Sequence, residues 1–373
     1  EWPAINPRQR RDPSAKARAF SLPGALDKLA KVLTVKDLKI DDGKRLIKKF
    51  SVPRNPTAKD PRTRHNPYDP DMAEDAQKLY EYNLGDIKAE SAVSACLSDL
   101  SAEELELWLL DQKINFKGVY MDHESVDACI EIVRQATQTY TAQLVEMTGG
   151  LVQTVGEIKK LTEWVNARGA RMRGMTAEDV ESALKRDNLD PQVRRALEIR
   201  ASLGGASVKK LYSIKRRLCS DMRIRDIFMF CGADRTGRWA GRGPQPQNLP
   251  AKGPKVRRCD PINGCGRHSA ANAELACPWC SSPDWALSES EWSVEAVEDA
   301  LTVIKYGRLD LVERVFGDAI ATVSGCLRGM FAAAPGKEFL CSDYSAIEAV
   351  VLAFISGEEW RMDVFRTHGK IYE

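Results

Sequence analysis

Through the first half of the chain, apolar positions recur three and four residues apart. "LPGALDKLAKVL" repeats them at helical spacing, and "MAEDAQKLYEYNLGDIKAESAVSACL", within 71–100, reads as a long amphipathic helix with Gly85 as the place for a kink. "LSAEELELWLLDQKINFKGVYMD" predicts a further helix and a short turn at Lys117-Gly118, and Asp122 then starts a helix of about 25 residues without sustained heptads. Ile158, Leu161 and Val165 share the face of a helix closed by Gly169. Thr176 with Asp179 three residues later marks a capped start, and Asp190-Pro191 is a cap followed by proline at the first helical position. Residues 101–210 are therefore expected to be largely helical.

After residue 225 the pattern changes. "DIFMFCGADRTGRWAGRGPQPQNLP" holds a short strand-like run and then a Gly/Pro/Gln loop, followed by a Cys-rich patch and helix-like segments over 292–306 and 309–333. In "FLCSDYSAIEAVVLAFISGEEW", residues 339–341 read as a short strand and Ser345 with Glu348 matches a capping box. Ile347, Val350, Val351 and Phe354 form an apolar helical stripe ending near Gly357. That puts Asp343 at a strand-to-helix junction facing a cleft. The order of elements predicts a multidomain α+β protein.

Composition adds bounds. The 373 residues, 43% of them hydrophobic, suffice for two or three domains. No apolar run approaches the roughly 20 residues of a membrane helix and no signal-peptide pattern opens the chain, so a cytoplasmic protein with no membrane partner is expected. Glu1 is not a methionine and helical periodicity has not stopped at Glu373, so a chain cut at both ends is expected. Charge is uneven: residues 203–258 carry fourteen Lys or Arg against three Asp, within a total of +2. Such a block suits a polyanion or forms a solvated face.

Cys259, Cys265, Cys277 and Cys280 are spaced C-x5-C-x11-C-x2-C, which suits one structural tetrahedral Zn²⁺, with His268 as an alternative ligand. The ribbon, about residues 252–290, carries Lys255, Arg257 and Arg258, placed to brace the preceding loop or touch phosphate. Cys96, Cys129, Cys219, Cys231, Cys326 and Cys341 are expected to be buried thiols.

Three segments carry a family likeness. "SDYSAIEAVVLAFISGE" resembles motif A of family A DNA polymerases, and "TGRWAGRGPQPQNLP" is similar to that family's Thr-Gly-Arg and Gln-Asn-Leu-Pro segment, particularly in phage forms. "YNLGDIKAE" resembles the Tyr-x3-Asp motif of the proofreading exonuclease. The likeness implies the C-terminal part of a 3′–5′ exonuclease-like domain over 1–100, a helical thumb over 101–225 and the first half of a palm over 226–373, interrupted by the zinc ribbon.

Roles follow from the likeness residue by residue. Asp343 would be one of two carboxylates holding the two catalytic Mg²⁺ ions, with the Tyr344 carbonyl as a further oxygen ligand, and Glu348 would be the steric gate against ribonucleotides. Arg238, Gln247, Asn248 and Arg328 would contact a primer–template DNA duplex. Tyr82 and Asp86 would be exonuclease residues. The implied substrates are primer–template DNA and dNTPs, in a phage-encoded enzyme working in a bacterial cell. Read locally, Asp343 and Glu348 are also a turn residue and a capping acid, the loop a polar surface turn, and Arg328 an ordinary exposed arginine.

Departures from the family pattern are equally specific. Val350 stands where arginine is usual. The other exonuclease carboxylates, the fingers helix and the motif with a second catalytic Asp are absent, so this chain alone is expected to be inactive. A non-catalytic DNA-binding protein derived from a polymerase is the competing expectation.

Overall fold

The computed structural model describes residues 6–35, 43–233, 235–271, 276–282 and 285–369. It is helix-rich with small sheets, in keeping with the α+β class. The chain divides into two units, Glu1–Phe331 and Ala332–Glu373.

In the first unit, α1 (Pro13–Ala19), α2 (Leu26–Val32) and α3 (Gly43–Ser51) lie against α4 (Ala73–Ala95), which runs unbroken through Gly85. Lys49 and Arg45 of α3 reach Asp75 at 2.5 and 3.3 Å. Gly43 packs on the Tyr82 ring so closely that a Cβ there would stand 2.0 Å from it. Glycine is the residue that allows this approach. Ser101 caps α5 (Ala102–Lys117), and Gly118, at φ +70°, closes it.

α6 (His123–Met147) begins at Asp122, whose carboxylate accepts the Ser125 amide. Then come α7 (Ile158–Ala167), α8 (Ala177–Leu184) with the Thr176/Asp179 capping box formed, α9 (Pro191–Leu203) capped by Asp190, and α10 (Ala206–Arg217). Leu161, Trp164 and Val165 of α7 share a small core with Val180 and Ala183 of α8, Val193 and Leu197 of α9, and Leu144 near the end of α6. Spacings of three and four residues put each set on one helix face.

The larger core joins the start of α6 to α11 (Val294–Ile304), α12 (Leu309–Phe316) and α13 (Ala319–Cys326). The single helix expected over 309–333 is two. Gly317, at φ +77°, ends α12, and Asp318 caps α13 by accepting the Ala321 amide at 2.9 Å. The left-handed turn stops the first ladder and the carboxylate satisfies the second helix's open donors.

Sheets are short and antiparallel. β1 (Val119–Tyr120) pairs with β2 (Arg223–Ile224), and β3 (Phe228–Met229) with β4 (Ala240–Gly241). β5 (Val256–Cys259) lies between β6 (His268–Ala270) and β7 (Trp285–Ser290).

The second unit contains α14 (Ile347–Ser356) and α15 (Glu359–Thr367), packed on each other. The strand expected at 339–341 does not form, and among the described residues nothing pairs with it. A run this short has no ladder without a neighbour to take its N–H and C=O groups. Nor does the Ser345/Glu348 capping box form. Ala346 is at the N-cap with φ +50°, which moves the helix start by one residue and puts Glu348 at the second helical position. Gly357, at φ +67°, ends α14 as expected.

Of the cysteines expected to be buried, Cys129 and Cys326 are, and Cys219 and Cys231 are partly so. Cys96, just past the end of α4, and Cys341, in the unpaired segment, are exposed. Among the described residues, no helix is long and apolar enough to cross a membrane.

Candidate nucleic-acid interface and metal centre

The basic loop is anchored at its root by an aromatic side chain. Trp239, just before β4, sits edge-on to Phe230 at 6.1 Å and donates its indole N–H to Asp111 Oδ1 at 2.7 Å. Asp111 is buried on α5 and also receives the Asn115 amide at 3.2 Å. Asn115 in turn bonds both the N–H and the C=O of Phe228, at 3.0 Å each. The β3–β4 ribbon is thus fixed to α5 by polar groups that satisfy one another, as burial requires.

Beyond β4 the chain turns through Gln245, at φ +50°, into a single 3₁₀ turn, Pro246–Asn248. Two cations hold its main chain. Lys210 Nζ donates to the Asn248 carbonyl at 2.5 Å, and Arg328 donates to the carbonyls of Leu249 at 3.0 Å and Gln247 at 3.4 Å. The side chains of Gln247 and Asn248 remain exposed, and the Asn248 amide donates to Gln245 Oε1 at 3.0 Å. The turn therefore brings Gln247, Asn248 and Arg328 together. Arg238 lies exposed on the same loop, two residues before β4. Arg328 acts as a brace on the loop.

Other cations of the block are held internally. Lys215 pairs with Asp127 at 2.5 Å, Arg225 with Asp221 at 2.6 Å and Arg242 with Asp226 at 2.7 Å. Arg223 donates to the Gly118 carbonyl and Arg258 to that of Gly266, both at 3.0 Å.

The ribbon brings its four cysteines together. The Sγ atoms of Cys259, Cys265, Cys277 and Cys280 all lie within 4.8 Å of one another, with Cys259–Cys280 at 3.9 Å and Cys265–Cys277 at 3.7 Å. A tetrahedral zinc with Zn–S bonds of about 2.3 Å needs sulfurs about 3.8 Å apart, so this donor set fits one zinc ion. Burial pushes the Cys265 and Cys277 thiols up, while the Ser282 amide draws Cys280 down to about 7. The Cys265 N–H points to Cys259 Sγ at 3.4 Å.

His268 is not part of this cluster. It is buried with Nδ1 2.9 Å from Asp299 Oδ2, an oxygen that also accepts the His268 main-chain N–H at 2.8 Å. The carboxylate on α11 takes the imidazole away from the sulfurs and ties the ribbon to the helical core.

Asp343, Tyr344 and Glu348 are all exposed in the second unit. Of the apolar stripe on α14, Ile347 and Val351 are each 45% exposed and Phe354 73%. Among the described residues, the cysteine cluster is the only group of three or more candidate ligands close enough to hold one ion, and Asp343 belongs to no such group. Alone it can supply only one share of a magnesium ion's oxygen ligands.

Tyr82 and Asp86 lie one turn apart on α4. Burial, with the Asp86 carboxylate nearby, pushes the buried Tyr82 phenol up, and Asp86 Oδ1 is shut from solvent with no partner among the described residues. Sequence reasoning missed the anchor and the braces, Trp239, Asp111 and Lys210. A lone tryptophan in a Gly- and Arg-rich loop was the available signal, since its indole N–H seeks an acceptor even with the ring 42% exposed. Asp111 gave none.

No family model matches the chain, and no solved structure matches it. Among curated proteins, it is 33% identical over 371 residues to a DNA polymerase of Bacillus phage SP02, an alignment that covers 98% of this chain and 50% of that protein. Nearly the whole chain is therefore similar to a protein named DNA polymerase, and it spans about half of that relative's length.

Proposed function

We propose that this chain is part of a phage-type family A DNA polymerase, in which template-directed synthesis joins a dNTP to a primer 3′-hydroxyl. The observation that carries the reading is the 33% identity sustained over 371 residues to a phage DNA polymerase. The three motif resemblances agree with it. In this reading 1–100 is an exonuclease-like remnant, 101–225 the thumb and 226–373 part of the palm, with the zinc ribbon inserted.

The reaction is an in-line displacement: the 3′-oxygen bonds to the α-phosphorus, the bond to the bridging oxygen breaks, and pyrophosphate leaves. Asp343 and the Tyr344 carbonyl contribute oxygen ligands at that centre, to be completed by a carboxylate from elsewhere in the protein. Magnesium, when held there, supplies charge neutralisation at the attacking and leaving oxygens. Glu348 stands against the sugar and excludes a 2′-hydroxyl. Gln247 and Asn248 present amides to the acceptors shared by all base pairs in the minor groove, which gives binding without sequence preference. The four cysteines hold zinc as a structural brace for the ribbon next to that loop.

Primer extension by the complete protein tests this. Asp343→Asn is expected to lower nucleotide addition by about a thousandfold or more, several kcal/mol of lost transition-state stabilisation, while duplex binding stays within about twofold. A second reading, a non-catalytic DNA-binding protein, draws on Val350, which stands where arginine is usual. Tight duplex binding with no extension by the unmutated complete protein would establish it instead.

A further inference from the structure

An open cleft of about 970 Å³ lies between α9, the ribbon strands β5 and β6, and the α12–α13 turn, and the residues given polymerase roles and the four cysteines lie outside its lining. Its carboxylates are already engaged. Glu198 pairs with Arg195 at 3.4 Å, Glu313 accepts the Tyr140 hydroxyl at 2.5 Å, and Asp318 accepts the Ala321 amide. Arg195 is further held by Gln143 at 2.9 Å.

Arg257 differs from all of these. It lines the cleft from β5, yet its Nε is shut from solvent and has no partner among the described residues. Lys255, two residues earlier, lines the same wall of the cleft. A buried guanidinium nitrogen with no partner is costly unless something oxygen-rich draws the side chain out to complete it. A guanidinium fork matches the paired oxygens of a phosphate.

We propose that this cleft is a phosphate-binding site anchored by Arg257. The phosphate can belong to a nucleic-acid strand or to a free nucleoside triphosphate, and the test separates the two. The proposal rests on the cleft and not on the polymerase reading, so it is measured without magnesium and without primer extension.

Two probes are titrated into the whole zinc-loaded protein: a fluorescein-labelled dT20 strand by anisotropy, and dTTP by calorimetry. Arg257→Gln is expected to weaken one or both by about tenfold, with Arg257→Lys recovering part of the loss. Loss confined to dT20 assigns a strand, and loss confined to dTTP a free nucleotide. Lys255→Gln, on the same wall of the cleft, should weaken the same probe by about threefold and guards against a misfolded Arg257 variant. Glu289 is the register partner of Arg257 on β7, so Glu289→Gln is the control, expected to hold or raise affinity. If both probes bind Arg257→Gln as they bind the parent, or if Glu289→Gln weakens binding as much as Arg257→Gln, the proposal is overturned.

Discussion

Asp111 is a buried carboxylate whose environment depends on a residue 128 positions away, the Trp239 indole. Trp239→Phe keeps most of the apolar area but removes the donor at 2.7 Å, leaving a buried acceptor short of a partner. A destabilisation of about 1–3 kcal/mol is expected, visible as a lower unfolding midpoint, and duplex affinity should fall with it because the loop loses its anchor. The caps at Asp122, Thr176 and Asp190 were legible in the sequence because a short polar side chain before an apolar repeat has one favourable use. Ser345 offered the same signal and failed, because Ala346 adopts a left-handed conformation that no neighbouring residue type announces. His268 could be read as a ligand only while Asp299 was out of view, 31 residues away.

At the level of elements, the helices of 101–217 follow their apolar repeat, and the two errors have physical causes. Gly317 splits a continuous apolar stretch that pattern alone carries through, and the run at 339–341 has no partner strand. The ribbon is the element most dependent on something outside its own backbone. Chelating its zinc, or Cys277→Ser, should unfold it and alter Trp279 emission, because that ring is held through the His268 carbonyl at 2.8 Å. Zinc affinity should fall with falling pH, since protons compete for thiols that burial has raised at Cys265 and Cys277. The α3–α4 contact has an acid limit as well. Lys49 first, then Arg45, hold Asp75 down to about 2, so the folded value lies below the unfolded one of about 4. The tie is fully present above pH about 4 and is lost as pH falls towards about 2. Hydrogen exchange should show α3 losing protection across that window, and Asp75→Asn should remove the dependence.

For the whole molecule, sequence likeness reached further than local pattern. The spacing of four cysteines implied a cluster that the fold assembles, whereas Asp343 joins no group of three or more candidate ligands among the described residues, and its proposed role rests on resemblance. The basic block shows the same limit in another form, since a count of charges does not reveal which are occupied. Lys210 ends on a loop carbonyl, Lys215, Arg225 and Arg242 on carboxylates, Arg223 and Arg258 on other carbonyls, and Arg238 and Lys255 are also engaged. Among the described residues, that leaves Lys209, Arg216, Arg217, Arg235, Lys252 and Arg257 without such a partner. Counterions displaced from a DNA strand should follow this smaller set, so the block's contribution to the slope of log affinity against log salt should approach about −5 and not about −13. Removing Arg216 or Arg217 should flatten that slope by about 0.9 each, while removing Lys215 or Arg225, whose charge is already spent on a neighbouring acid, should leave it where it was.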